Sequence, residues 1–170
     1  DFKTFTEAKL FLDPKFSVID AVIVKRAARD YVLVLKDNTR PERNIKIAFA
    51  DNPLGPWENI SKPFTEKFTE GPAVAKVKDG YLIYYDVYQK KKYGASFTKD
   101  FKNFVSADSL ISVPEGHKHG TILKVNKSQA PSEILYCGLP ESCLIVLSDG
   151  RVAACCWDYN FDVNDGADFG

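Results

Sequence analysis

Methionine is absent from this sequence, and histidine and tryptophan occur only twice each. Net charge is absent as well, because 23 basic side chains balance 23 acidic ones. That balance removes the usual electrostatic case for a nucleic-acid partner or an anionic membrane surface. The longest basic run, Lys90-Lys91-Lys92, follows a strand pattern and reads as a solvated hairpin tip. No apolar run approaches the ~20 residues that a bilayer-spanning helix needs, so no membrane span is expected. Asp1 to Leu10 has no apolar h-region, so no signal peptide is expected either. A chain that opens on Asp-Phe-Lys reads as a processed product or a fragment. There is no Walker loop, dinucleotide fingerprint, G-x-S-x-G elbow or Cys/His nucleophile pair, which speaks against nucleotide chemistry and serine hydrolysis. No C-x-x-C occurs, so a structural zinc site is not expected. Of the four cysteines, Cys155 and Cys156 are adjacent and would point to opposite faces of a strand. Buried free thiols are the expectation, with a Cys137–Cys143 disulfide as the alternative.

What is present is core-forming material. With 170 residues, 45% of them hydrophobic and 13% aromatic, the chain suits one domain or part of a larger one. It reads as strands separated by turns. Val18 to Val24 is rich in β-branched residues, and Arg29-Asp30 turns into Tyr31-Val32-Leu33-Val34-Leu35. Ile45 to Phe49 alternates as a half-buried strand does, and the turn formers from Asp51 to Pro56 end it. No segment sustains a helical period. The fold class is all-β.

The pattern then repeats. Pro72 to Val77 matches the first strand, Tyr81 to Tyr85 the second and Tyr93 to Phe97 the third, with Asp100 where Asp51 stood. Trp57 and Phe104 fall at similar distances past those two aspartates. Asp20 and Glu70 begin the two units 50 residues apart, and His119 lies 49 further on. A repeat of about 40–50 residues with several short strands per unit is the mark of a β-propeller. The first strand of each blade lines a central channel, so Asp20, Glu70 and His119 are expected to converge near its axis. Asp20 also breaks a local rule, since Asp is depleted in strands yet sits inside Val-Ile-Asp-Ala-Val-Ile. A carboxylate in that setting needs partners or a raised pKa, conditions common at functional sites. The bland alternative is an exposed carboxylate on an edge strand.

The ordered set Val18-Ile19-Asp20-Ala21, Tyr31-Val32-Leu33-Val34-Leu35-Lys36-Asp37, Gly55-Pro56-Trp57, Glu70-Gly71-Pro72 and Gly116-His117-Lys118-His119-Gly120-Thr121 resembles family 43 of the glycoside hydrolases. These are five-bladed propellers that cleave arabinosides, xylosides and some galactosides with inversion. The resemblance covers about Asp13 to Val125. It implies Glu70 as general acid and Asp20 as the carboxylate that raises the acid's pKa and positions it. His119 matches a channel histidine that in some members helps to hold a metal ion or water. No cofactor is required on this reading, although it leaves room for calcium near the channel. Trp57, Tyr85, Tyr88 and Trp157 are candidates for stacking against sugar rings, His119, Trp57 and Tyr88 being the substrate-binding choices.

One catalytic part is not found. Inversion needs a base carboxylate about 6.5–9.5 Å from the acid, with a water between. The family takes it from the blade before Asp20, where Asp13-Pro14 reads as a loop and Asp13 is a poor candidate. The expectation is a propeller missing its first blade, with residues 1–126 forming the blades that resemble the family. Open faces on such a piece predict self-association or a companion segment. The alternative from a different functional class is a carbohydrate-binding propeller without catalysis. Secretion or a periplasmic location follows from the resemblance alone.

Residues 127–170 are expected to form a further hairpin or blade and an acidic tail. Ile134 to Tyr136 and Cys143 to Leu147 read as strands, and Ser148-Asp149-Gly150 turns into Arg151 to Trp157. Glu141 would take an inner-strand position there. Asp158 to Asp168 is rich in oxygen ligands but misses the strict calcium-loop spacing, and reads as a flexible acidic terminus.

Overall fold

The computed structural model describes residues 3–111, 118–124, 143–147 and 152–154. Three antiparallel sheets make up the fold, and no α-helix occurs among the described residues. The first sheet runs β1 (Val18–Ala27), β2 (Asp30–Asp37) and β3 (Asn44–Ala50) in spatial order. The second runs β4 (Glu70–Val77), β5 (Gly80–Val87), β6 (Lys92–Thr98) and β7 (Val105–Ser106). The third begins with β8 (Gly120–Lys124), followed by β9 (Cys143–Leu147) and β10 (Val152–Ala154). Each sheet is a meander whose first strand lies at one edge. Those edge strands adjoin one another, β1 beside β4 and β4 beside β8.

The middle strands explain the continuous apolar runs in the sequence. On β2, Val32 and Val34 face the second sheet, where they meet Ile83, Tyr85 and Val87 of β5. Leu33 and Leu35 point the other way, onto Ala48 and Trp57, under a cover of Leu12 and Phe16. On β5, Leu82 and Tyr84 turn to a third apolar layer with Ala75 and Ala95, against which Ile122 of β8 packs. A strand covered on both faces has no need for polar alternation. The apolar layers thus alternate with the sheets and stack them face to face. Arg26 ties the first two together, bonding Asp30 within its own hairpin and the Asp100 carbonyl at 3.1 Å in the next sheet.

The first six expected strands are all present, each extended by a few residues. Lys90-Lys91-Lys92 does cap a hairpin. A single 3₁₀ turn, Tyr88–Lys90, leads into left-handed Lys91 at φ 52°. The fourth strand of the second sheet was not foreseen, and the first sheet has only a single bridge, Phe49 to Glu58, in its place. A closed ring of sheets is not found among the described residues. Of the later expectations, β9 matches Cys143 to Leu147, and β10 falls within Arg151 to Trp157. Ile134 to Tyr136, Cys137, Glu141, Cys155, Cys156, Trp157 and the acidic tail lie outside the described residues.

Candidate active site

Two matching bulges build the site. In the first sheet Ile19 pairs with Lys36 and Val22 with Val34, which leaves Asp20 and Ala21 opposite Leu35 alone. In the second, Glu70 pairs with Asp86 and Ala73 with Tyr84, which leaves Gly71 and Pro72 opposite Tyr85. The backbone is left-handed at the same point of each bulge, with φ 51° at Asp20 and 56° at Gly71. Glycine takes that conformation freely, and Asp tolerates it better than most residues. A bulge re-aims the side chain it carries. Here it sends Asp20 across the gap, where its Oδ2 accepts the Gly71 N–H at 3.0 Å.

This register corrects one expectation. Asp20 and Glu70 do converge, but they are not equivalent positions. Ile19 is the counterpart of Glu70, and Asp20 is the counterpart of Gly71. A gap of 50 residues concealed the offset, because the bulge repeats after 51.

His119, immediately before β8, completes the expected trio. Its Nε2 lies 3.2 Å from Glu70 Oε1. Its ring rests on Gly71, where a Cβ would come within 2.7 Å of the imidazole Cγ and Cδ2. A single ligand-type atom from each of Asp20, Glu70 and His119 lies within 4.8 Å of the other two.

Two residues to which the sequence assigns no site role, Lys36 and Asp86, stand opposite the bulges. Lys36 is 1% exposed and places its Nζ 2.5 Å from Glu70 Oε2. The same ammonium lies 5.2 Å from the centre of the Tyr88 ring, a cation–π distance. Asp86 is 2% exposed, and its Oδ2 is buried without a hydrogen-bond partner. Burial pushes the Asp86 carboxyl above its ordinary value, and the charge of Glu70 beside it adds to the rise. In sequence each follows an apolar run, Lys36 ahead of Asp37 and Asp86 ahead of Val87, and so resembles the start of a loop.

Glu70 goes the other way. Burial, the largest single influence, raises its pKa. The hydrogen bonds from Lys36 and His119, with their charges, outweigh it, and the carboxyl sits below its ordinary value. The expectation that the like charge of Asp20 keeps Glu70 protonated near neutrality is therefore corrected: Lys36 holds it ionised. Asp20 also lies too near Glu70 to be an opposed inverting base, which stands about 6.5–9.5 Å off.

The other expected residues divide. Tyr88 is at the site through Lys36, and its ring meets Phe68 edge-on at 6.1 Å. Trp57 is not brought to the cluster: its indole is buried with Leu33, Leu35 and Ala48, 5.7 Å from the Phe11 ring. Tyr85 is core too, its hydroxyl 3.0 Å from Ser96 Oγ. Asp13 bonds to Lys15 on the exposed N-terminal segment.

Half-buried carboxylates beside a lysine and a histidine, carried on the edge strands of stacked sheets, are placed for acid–base work. The family comparison agrees at that level. A family model described as a probable glycosyl hydrolase domain, of a type related to family 43, matches residues 1–130, and the chain belongs to that family. No curated protein and no solved structure matches the chain.

Proposed function

We propose that the chain supplies the blades and acid centre of a five-bladed-propeller glycoside hydrolase acting on arabinose-, xylose- or galactose-containing glycans. The convergence of Asp20, Glu70 and His119 within 4.8 Å carries this reading. Glu70 is the proposed general acid, Asp20 its orienting carboxylate and His119 a substrate contact. Tyr88, beside Lys36, offers an aromatic rim. The opposed base would come from a blade outside the described residues, and a partner segment or a second copy would complete the ring. Such an enzyme acts outside the cytoplasm, in a secreted or periplasmic setting, and its reaction needs no cofactor.

Glu70 rests ionised against Lys36, so it must acquire a proton to act. A bound glycan that displaces water would favour the neutral carboxyl, since desolvation penalises the charged form. In the free protein the acid form is populated only at low pH. The reading thus predicts that kcat/KM falls about tenfold per pH unit between pH 5 and pH 7. Aryl arabinofuranosides, xylosides and galactosides are the substrates to assay. Glu70→Gln should lower kcat by about 10²–10⁴-fold, the usual contribution of a general acid. A wild-type protein that turns over none of them, or a Glu70→Gln variant as active as wild type, would sink the proposal.

The same ionised Glu70 supports a second reading, a glycan-binding propeller without catalysis. Calorimetric titration with xylo- and arabino-oligosaccharides separates the two. Binding without hydrolysis selects this reading, and hydrolysis excludes it.

A further inference from the structure

The resemblance to family 43 allows a metal ion near the channel, and Asp20, Glu70 and His119 are close enough together to suggest one. The donor set does not fit. Glu70 Oε2 is engaged by the Lys36 ammonium at 2.5 Å, and Glu70 Oε1 faces His119 Nε2 at 3.2 Å. Asp20 Oδ2 accepts the Gly71 N–H. A dication placed among these groups would sit beside a fixed, buried positive charge.

We propose that Lys36 is the resident cation of this site. Its ammonium takes the neutralising and orienting role that a metal ion would otherwise fill at Glu70, in the cluster with Asp20 and His119. Three observations converge on this. Lys36 is 1% exposed, although lysine is almost never fully buried unless paired. Its charge has two partners on different elements, the Glu70 carboxylate and the face of Tyr88. Its position is set by the same bulge geometry that sets the site. Lys36 stands opposite the first bulge as Asp86 stands opposite the second, so the equivalent positions carry opposite charges. Lys36 is a positioning residue: it fixes Glu70 Oε2 while His119 fixes Oε1.

The inference does not depend on turnover, and its test reads metal binding instead. Thermal unfolding is followed with and without calcium or manganese chloride at about 5 mM, above the dissociation constants of weak calcium sites. Wild type should show no metal-dependent shift in Tm. Lys36→Met leaves the carboxylates without their cation, and should gain a metal-dependent rise of several degrees. Adding Glu70→Gln to Lys36→Met should abolish that gain. A folded Lys36→Met protein that is indifferent to metal would overturn the proposal. So would a wild-type protein stabilised by either metal in a manner lost in Glu70→Gln. Should Lys36→Met fail to fold, the wild-type and Glu70→Gln titrations still decide, because both retain Lys36. Failure of the hydrolase reading would appear instead as absent turnover, with these titrations unchanged.

Discussion

The first and second sheets use one backbone device to carry different chemistry. Both begin with a strand bulged at its third or second residue, both are left-handed there, and both set a charged residue opposite the residue before the bulge. In the first sheet the carboxylate of the cluster is the left-handed residue itself, Asp20, and the preceding position is apolar Ile19. In the second the carboxylate precedes the bulge as Glu70, and the left-handed position is Gly71. The carboxylates meet because they occupy different positions of equivalent bulges. Had both stood at the left-handed position, a Cβ at residue 71 would come within 2.7 Å of the His119 ring, where glycine leaves room. The comparison teaches that repetition supplies a frame, and that a one-residue shift within it makes the site.

Gly71→Ala should break this arrangement most severely. The new Cβ meets the His119 ring at 2.7 Å and must also adopt a left-handed backbone. Strain of about 1 kcal/mol adds to an overpacking cost of ~1–3 kcal/mol, and Glu70 loses its imidazole partner. A loss of about 2–4 kcal/mol in a denaturant melt is expected. A loss below about 1 kcal/mol would mean that His119 does not rest on Gly71.

Asp20 tests the other half at smaller cost. Asp20→Ala removes the acceptor for the Gly71 N–H and leaves a Cβ without local hydrogen bonding in left-handed backbone. A loss of about 1.5–2 kcal/mol is expected. Asp20→Gly removes the same acceptor but keeps the conformation free, so about 1 kcal/mol should be lost. The difference between the two isolates the bulge from the hydrogen bond. Equal values would show that the first bulge is not left-handed in solution.

The same contrast explains what was legible in the sequence. The strands were, because Tyr31 to Leu35 and Tyr81 to Tyr85 are buried on both faces and so appear as uninterrupted apolar runs. The meeting of Asp20, Glu70 and His119 was also legible, since residues at the starts of successive repeats were expected to converge. The register was not. A bulge adds one residue without altering composition, and only the pairings of Ile19 with Lys36 and of Glu70 with Asp86 reveal it. Lys36 and Asp86 give no such signal, because lysine and aspartate at a strand end resemble the start of a loop. Trp57 has the chemistry of a sugar-stacking aromatic, but Leu33, Leu35 and Ala48 claim it for the core.

Asp86 offers the smallest effect and the sharpest test of the charge contrast opposite the bulges. Its counterpart Lys36 is paired, whereas one Asp86 oxygen is buried without a partner, and its carboxyl is raised above the ordinary 3.8. The folded protein therefore binds the Asp86 proton more tightly than the unfolded chain does. The stability this contributes is fully present below about pH 3.8 and is lost as pH rises through the raised native value. At pH 7 the group is a net cost, which Asp86→Asn removes while keeping the shape. A rise in Tm of about 2–4 °C is expected at pH 7, equivalent to about 1 kcal/mol in a domain of this size. At pH 3, where the carboxyl is neutral in both states, the gain should vanish. An equal gain at both values would assign the effect to packing, and a loss at pH 7 would show that ionised Asp86 has a partner, such as Lys36, that already satisfies it.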